Sequence, residues 1–291
     1  MARERRNRRY LPGVALPPGV EVEPDLAAAA ADADDVLVAV PSQAFRETLI
    51  ALAPARPRRV AWATKGFELA TGLLPHQVVA EILPAGVPTA VLSGPTFAAE
   101  VAKGLPSAMT IASADADYAR RLAETFSTDT FRAYTSSDIV GVEVGGATKN
   151  VYAIGAGLSD GLGYGANTRI ALVTRGLAEI TRLGVALGAD RRTFMGLAGI
   201  GDLVLTCTDD QSRNRRFGLA LARGLGAAAA LAEIGQVVEG YYGARAVHAV
   251  AAKLSVAMPI VEQIYRVLYE GASPADSVLA LMRRPIGSEA N

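Results

Sequence analysis

Cysteine is almost missing from this chain: Cys207 is the single one in 291 residues, which excludes an intramolecular disulfide. Histidine is nearly as scarce, and His76 and His248 stand far apart in sequence without metal-ligand spacing. Net charge is absent too, with 29 basic residues against 29 acidic, so there is no global electrostatic case for nucleic acid or a membrane surface. Arg3, Arg5, Arg6, Arg8 and Arg9 make the first residues locally basic, and this run reads as a solvated end. No stretch reaches the roughly 18 uninterrupted apolar residues of a membrane span. The basic start runs into prolines rather than an apolar signal-peptide core. The expectation is a cytoplasmic protein with no nucleic-acid partner and no membrane span. With 51% hydrophobic residues it has ample material for a core.

Lysine is the most informative scarcity. There are four, Lys65, Lys103, Lys149 and Lys253, against 25 arginines, so this chain uses arginine wherever a generic positive charge is needed. A lysine differs in that, once desolvated, it can give up and recover a proton, whereas arginine stays charged. Lys65 in WATKGF and Lys149 in GATKNV lie among small residues where a ligand can approach. The alternative for Lys149 is a solvated position on a helix.

Strand-like runs alternate with helical ones over the first half of the chain. Asp35-VLVAV-Pro41, Arg59-VAWAT, Thr89-AVLS, Ser107-AMTIAS and Phe131-RAYT read as strands, separated by helices at 24–31, 44–52, 76–82, 97–101 and 118–126. LPGVALPPGVEV near the start reads as a loop. The pattern predicts an α/β, Rossmann-like parallel sheet, in which ligands bind at the carboxyl ends of the strands. Those ends are Pro41-Ser42, Thr64-Lys65-Gly66 and Ser93-Gly94-Pro95. Beyond Ser136 the strand pattern stops and helices follow one another, with N-caps expected at Asp138, Asn167 and Ser273 and helix ends at Gly188 and Gly271. Two domains are therefore expected: 1–136, α/β, and 137–291, all-helical.

The first helix of the second domain carries Gly141, Gly145, Gly146, Gly155 and Gly157. Each interior glycine costs a helix about 1 kcal/mol relative to alanine, so the cluster implies close approach by another helix or by a ligand. Lys149 and Asn150 project from its middle. Asp202, in GLAGIGDLVLTC, precedes an apolar run and needs a partner if buried. Ser212-Arg213-Asn214 reads as the opening turn of a helix, where backbone amides, the macrodipole and Arg213 favour an anion such as phosphate. An ordinary cap beside a solvated arginine cluster is the other reading. The glycines at 155, 157 and 161, and those at 199 and 201, mimic a dinucleotide fingerprint, but neither set follows a strand and opens a βαβ unit.

With VAVPSQ, WATKG, LSGPTFAAEVAKGLP, GVEVGGATKNV, NTRIALVTRGLAEITRLG, TFMGLAGIGDLVLTCT, SRNRRFG and VVEG in order, the chain resembles the bacterial NAD(P)-dependent glycerol-3-phosphate dehydrogenases. The resemblance implies an oxidoreductase that interconverts sn-glycerol 3-phosphate and dihydroxyacetone phosphate for glycerophospholipid synthesis, with NAD or NADP as cofactor. It implies Lys149 as the general base and acid. It matches Lys65, Gly94, Thr96, Lys149, Asn150, Asp202, Thr206, Ser212, Arg213 and Asn214 to the substrate, and Lys65, Ala98, Arg213, Val237 and Glu239 to the cofactor. Thr96 and Glu239 rest on resemblance alone. The family opens with a strand, a GxGxWG-type turn and a helix that seat the pyrophosphate; here only six residues precede Asn7. This predicts a truncated dinucleotide-binding domain, poor cofactor binding and an impaired enzyme. The alternative function is a non-catalytic remnant that binds a phosphorylated metabolite or serves as an interaction partner. The Val- and Ala-rich helical faces are compatible with a homodimer.

Overall fold

The computed structural model describes residues 1–285. Strands β1 (Arg6–Asn7) and β2 (Leu11–Ala15) form a separate antiparallel pair near the start. The basic end and the expected loop are therefore partly ordered by each other. The Arg5 guanidinium donates to the carbonyls of Pro17, Pro18 and Val20 at 2.5, 3.2 and 2.8 Å, so that arginine is not simply solvated.

Helix α1 (Leu26–Ala31) leads into a five-stranded sheet in sequential order: β3 (Val36–Val38), β4 (Val60–Trp62), β5 (Thr89–Ser93), β6 (Ser107–Ala112) and β7 (Phe131–Ser136). The intervening helices are α2 (Ser42–Leu52), α3 (Pro75–Ile82), α4 (Ala98–Val101) and α5 (Ala116–Phe126). Strands β3, β4 and β5 run parallel, as do β6 and β7, but β5 and β6 are antiparallel, with Val91 opposite Ala112. The expected parallel sheet therefore holds within β3–β5 and within β6–β7, with one antiparallel step between them. The reason lies in α4: four residues of helix rise about 6 Å, too little to carry the chain back along a strand and start a parallel neighbour.

Alternation along the strands sorts the sheet's two faces. Val60, Trp62 and Val91 pack with Phe45, Leu49, Val78 and Val79 of α2 and α3. Ala61, Ala90 and Leu92 face the other way, against Tyr118 and Leu122 of α5.

From Ile139 onward the described residues are helical: α6 (Ile139–Gly161), α7 (Ala166–Ala186), a 3-10 turn (Arg191–Met195), a π turn (Leu197–Gly201), α8 (Asp202–Thr208), α9 (Arg213–Ala222), α10 (Ala227–Ile234), α11 (Glu239–Lys253), α12 (Pro259–Tyr269) and α13 (Pro274–Met282). Asp138 and Ser273 cap their helices as expected, whereas α7 starts from Gly165 rather than Asn167. Gly188 and Gly271 adopt the left-handed conformation just past helix ends. Among these described helices none is long and apolar enough to cross a membrane.

Helix α6 is the axis of this half. It is buried continuously from Gly141 to Ser159, as a helix that is apolar nearly all round must be. Its glycines admit backbones. A Cβ at Gly157 would lie 2.1 Å from the Arg215 carbonyl oxygen of α9, and one at Gly218 would lie 2.2 Å from the Ile154 carbonyl oxygen of α6. Of the two explanations for the glycine cluster, approach by other helices accounts for this pair. Nearby, Glu179 of α7 accepts from the N–H groups of Ile260 and Val261 at 2.8 and 3.4 Å and from Tyr152 Oη at 3.1 Å, so it anchors the start of α12 to α6. Burial pushes its carboxyl up to about 7.

Because the atom facing Gly157 is backbone, it cannot turn aside. Gly157→Ala is expected to destabilise the protein by about 2 kcal/mol or more, read as a lower urea midpoint at unchanged slope. A wild-type midpoint would show that the α6–α9 approach is not tight.

Candidate active site

Besides α6, which carries Lys149, three elements build the site. The carboxyl end of β4 continues into Thr64, whose Oγ1 donates to the Val40 carbonyl at 2.7 Å, and then into Lys65. The carboxyl end of β5 continues into Gly94, with φ of 156°, where an added Cβ would sit 2.9 Å from the Met109 Cα. Glycine therefore lets the chain turn here without colliding with β6. The third element is the π turn, in which Gly199 departs from helical geometry (φ −98°, ψ −106°), and which hands the chain to α8 with Asp202 as its first residue.

Asp202 lies between both lysines. Its Oδ2 accepts from Lys65 Nζ at 2.7 Å, and its Oδ1 accepts from Lys149 Nζ in a short contact. Lys149 Nζ also reaches Thr206 Oγ1 at 3.1 Å, one turn further along α8, while Lys65 Nζ lies 3.5 Å from the Gly94 carbonyl. Lys149 is only 7% exposed, which excludes the solvated-helix alternative. Burial pushes its ammonium down to about 8; Asp202 pulls the other way, and the charge on Lys65 adds to the depression. Burial works to raise the Asp202 carboxyl, but the two ammonium groups outweigh it and hold the carboxyl below its ordinary value.

A chain of amides extends from this centre. Asn150 Nδ2 donates to Glu239 Oε2 at 3.2 Å, and Asn214 Nδ2 donates to Asn150 Oδ1 at 2.9 Å. Asn214 Oδ1 in turn accepts the Gly240 N–H at 2.8 Å. Helices α6, α9 and α11 are thereby joined at one point. Burial raises the Glu239 carboxyl, opposed by the charges of Arg213, Lys65 and Lys149. Ser212 caps α9, its Oγ accepting from the Arg215 N–H at 3.2 Å. Arg213 is half-buried at the first position of that helix, where amides and dipole favour an anion. Arg215 is not part of an anion site: its guanidinium is engaged by Asp160 at 2.5 Å and Asp210 at 2.9 Å.

The structure therefore brings Lys65, Gly94, Lys149, Asp202 and Thr206 together, and joins Asn150, Asn214 and Glu239 beside them. Thr96 donates to the Gly94 carbonyl at 3.3 Å. Ala98 and Val237 are exposed. Sequence reasoning placed Ser93 at a ligand-facing strand end without giving it a role, and passed over Glu143. The Ser93 Oγ is buried without a hydrogen-bond partner among the described residues, and with the Lys65 stem it borders Gly146. The one available signal for Glu143 was a lone carboxylate in the apolar run GVEVGG.

The comparisons agree with this architecture. Residues 1–119 match the family model "NAD-dependent glycerol-3-phosphate dehydrogenase N-terminus", and residues 138–279 match "NAD-dependent glycerol-3-phosphate dehydrogenase C-terminus". The chain is 52% identical to the glycerol-3-phosphate dehydrogenase [NAD(P)+] of Pseudoalteromonas translucida, over 99% of this chain and 87% of that protein. It is 57% identical to the enzyme of the same name from Thioalkalivibrio sulfidiphilus, over 98% and 86%. The crystal structure of glycerol-3-phosphate dehydrogenase from Coxiella burnetii superposes with a TM-score of 0.95 at 45% identity, covering 98% of this chain and 87% of that one. The N-terminal family model is matched over residues 1–119, the chain spans 86–87% of these two relatives' length, and the expected impairment of the enzyme finds no support in these comparisons. That these relatives are named as enzymes speaks against the non-catalytic alternative. On the matched models, the identities and the two-lysine site, the chain belongs to the NAD-dependent glycerol-3-phosphate dehydrogenase family.

Proposed function

We propose that this chain interconverts sn-glycerol 3-phosphate and dihydroxyacetone phosphate with NAD or NADP, in the cytoplasm, as a step towards glycerophospholipids. The observation that carries this reading is the buried Lys149, poised near pH 8 and held by Asp202 beside a second lysine from the end of a sheet strand.

In the oxidative direction neutral Lys149 Nζ takes the proton of the C2 hydroxyl while the C2 hydrogen departs with its electron pair. In the reductive direction the ammonium returns the proton to the carbonyl oxygen. The nicotinamide, when bound, accepts or supplies that hydride. Asp202 and Thr206 hold Lys149, and Asp202 also holds Lys65, which serves the substrate oxygen and the cofactor side together. Gly94 and Thr96 line the substrate at the end of β5. Ser212, Arg213 and Asn214 take the phosphate at the start of α9, with Asn150 between phosphate and lysine. Lys65, Ala98, Arg213, Val237 and Glu239 would hold the cofactor. Ser93 Oγ fits such a ligand, since a buried hydroxyl beside Lys65 is left without a partner among the described residues. This reading assigns 1–136 to the cofactor and 137–291 to the substrate and catalysis, and takes a homodimer as the working form.

Lys149→Ala, and equally Lys149→Arg, is expected to lower dihydroxyacetone phosphate reduction by about 100-fold or more, because loss of a positioned acid removes that much and arginine does not release a proton. Near-normal turnover by either variant, followed as NAD(P)H oxidation, would sink the assigned mechanism.

The pH dependence has a definite sign in each direction. Reduction needs the ammonium form, so its kcat/KM should fall as pH rises through about 8; oxidation needs the amine and should rise over the same interval. Profiles of the same sign in both directions would contradict the role of Lys149.

Arg213→Ala is expected to raise the KM for dihydroxyacetone phosphate by about 10- to 100-fold, corresponding to a lost charge-assisted hydrogen bond, with a smaller change in kcat. An unchanged KM would place the phosphate elsewhere.

A further inference from the structure

Glu143 is a buried carboxylate that the mechanism above does not use. It lies on α6, 3% exposed, and every contact it makes leaves the helix. Its Oε1 accepts from Trp62 Nε1 of β4 at 3.0 Å and from the His76 N–H in the first turn of α3 at 2.9 Å. Its Oε2 meets His76 Nδ1 at 2.5 Å. A carboxylate this deep is strongly penalised unless its oxygens are occupied, and here three donor groups from two elements of the sheet domain occupy them.

The register of α6 gives the contact its significance. Residues three apart lie on one face of a helix, so Glu143, Gly146 and Lys149 follow one another along a single side. On that side Gly146 lies against the Lys65 stem, since a Cβ there would meet Lys65 Cγ at 3.3 Å. Trp62, bonded to Glu143, is three residues before Lys65 on the same strand and its continuation. The Glu143 contacts thus tie the helix carrying Lys149 to the strand carrying Lys65, nearly two turns of α6 away from the point where both reach Asp202.

The geometry assigns Glu143 as a positioning residue for catalysis: by holding α6 on β4 and α3, it sets the separation of Lys65 and Lys149 across Asp202. This rests on the proposed reaction. The groups facing Glu143 are Trp62 and His76, and the same face of α6 meets Lys65, whose charge helps depress Lys149. Loosening the tie should therefore change both the rate and the pH at which Lys149 titrates.

The test compares wild type, Glu143→Gln, Glu143→Ala and His76→Ala in dihydroxyacetone phosphate reduction across pH 6 to 10. Trp62, the only tryptophan, shows by buried-type emission that each variant is folded. Glutamine keeps an acceptor for Trp62 and the His76 N–H and a donor for the His76 ring, so Glu143→Gln should stay within about 3-fold of wild-type kcat. Glu143→Ala should lose about 10-fold or more in kcat with little change in KM, and its alkaline limb should move to higher pH. His76→Ala, which leaves Trp62 and the backbone contact in place, should shift in the same direction by a smaller amount and covers the case in which Glu143→Ala does not fold. If wild type is active while folded Glu143→Ala, or His76→Ala in its place, keeps wild-type kcat and an unmoved limb, the inference is overturned and the functional reading stands. Equal losses in Glu143→Gln and Glu143→Ala would also overturn it. A wild-type chain inactive with either cofactor overturns the functional reading, and the inference with it.

Discussion

One carboxylate between two ammonium groups is the interaction on which the rest of this structure depends. Asp202 would be prohibitively unfavourable to bury alone, and Lys149 nearly so. Together with Lys65 they form a cluster in which each charge is the reason the others can be there. The three residues come from the end of β4, the middle of α6 and the start of α8, so the cluster exists only when the sheet and the helices are packed. Asp202 gains further from opening α8, where the helix dipole favours a negative group. The cluster carries one positive charge more than negative, which suits a site for phosphorylated substrate and keeps Lys149 within reach of proton exchange near neutral pH.

Helix α6 is built for that cluster. A central helix rich in glycine gives up intrinsic helical stability, and the return is closeness: α9 and the π turn bring backbone oxygens to Gly157 and Gly145, and Gly240 lets α11 close on the Asn150 carbonyl in the same way. Side chains that must meet within hydrogen-bond distance are therefore carried on elements held together by backbone contact rather than on loops, which keeps their separations narrow. The amide chain through Asn150 and Asn214 to Gly240 has the same character, since three helices must hold their spacing for it to form.

Much of the fold was legible because it is local. The strand ends, the caps at Asp138, Ser212 and Ser273 and the left-handed glycines at 188 and 271 follow from short-range stereochemistry. The antiparallel β6 was missed because strand direction depends on how far a connection carries the chain, which composition does not state. Helix α8 was missed because DLVLTCT is short and apolar, a pattern that periodicity cannot assign to helix or strand. Among site residues, Lys149 stood out by scarcity and Asp202 by isolation in an apolar run. Glu143 carried the same signal as Asp202 but no motif that singled it out, and its partners are 67 and 81 residues away in sequence.

By itself the sequence determined which residues could do chemistry: a lysine where this chain otherwise uses arginine, a carboxylate that needed a partner, an arginine at the start of a helix. Those are properties of residue type and immediate neighbours. Only the tertiary structure decided that one aspartate serves both lysines, that Arg215 is taken by Asp160 while Arg213 remains by Glu239, and that the glycines of α6 admit helices. The reason is physical: burial and pairing arise between groups far apart in the chain, and it is burial that brings the Lys149 ammonium down to about 8.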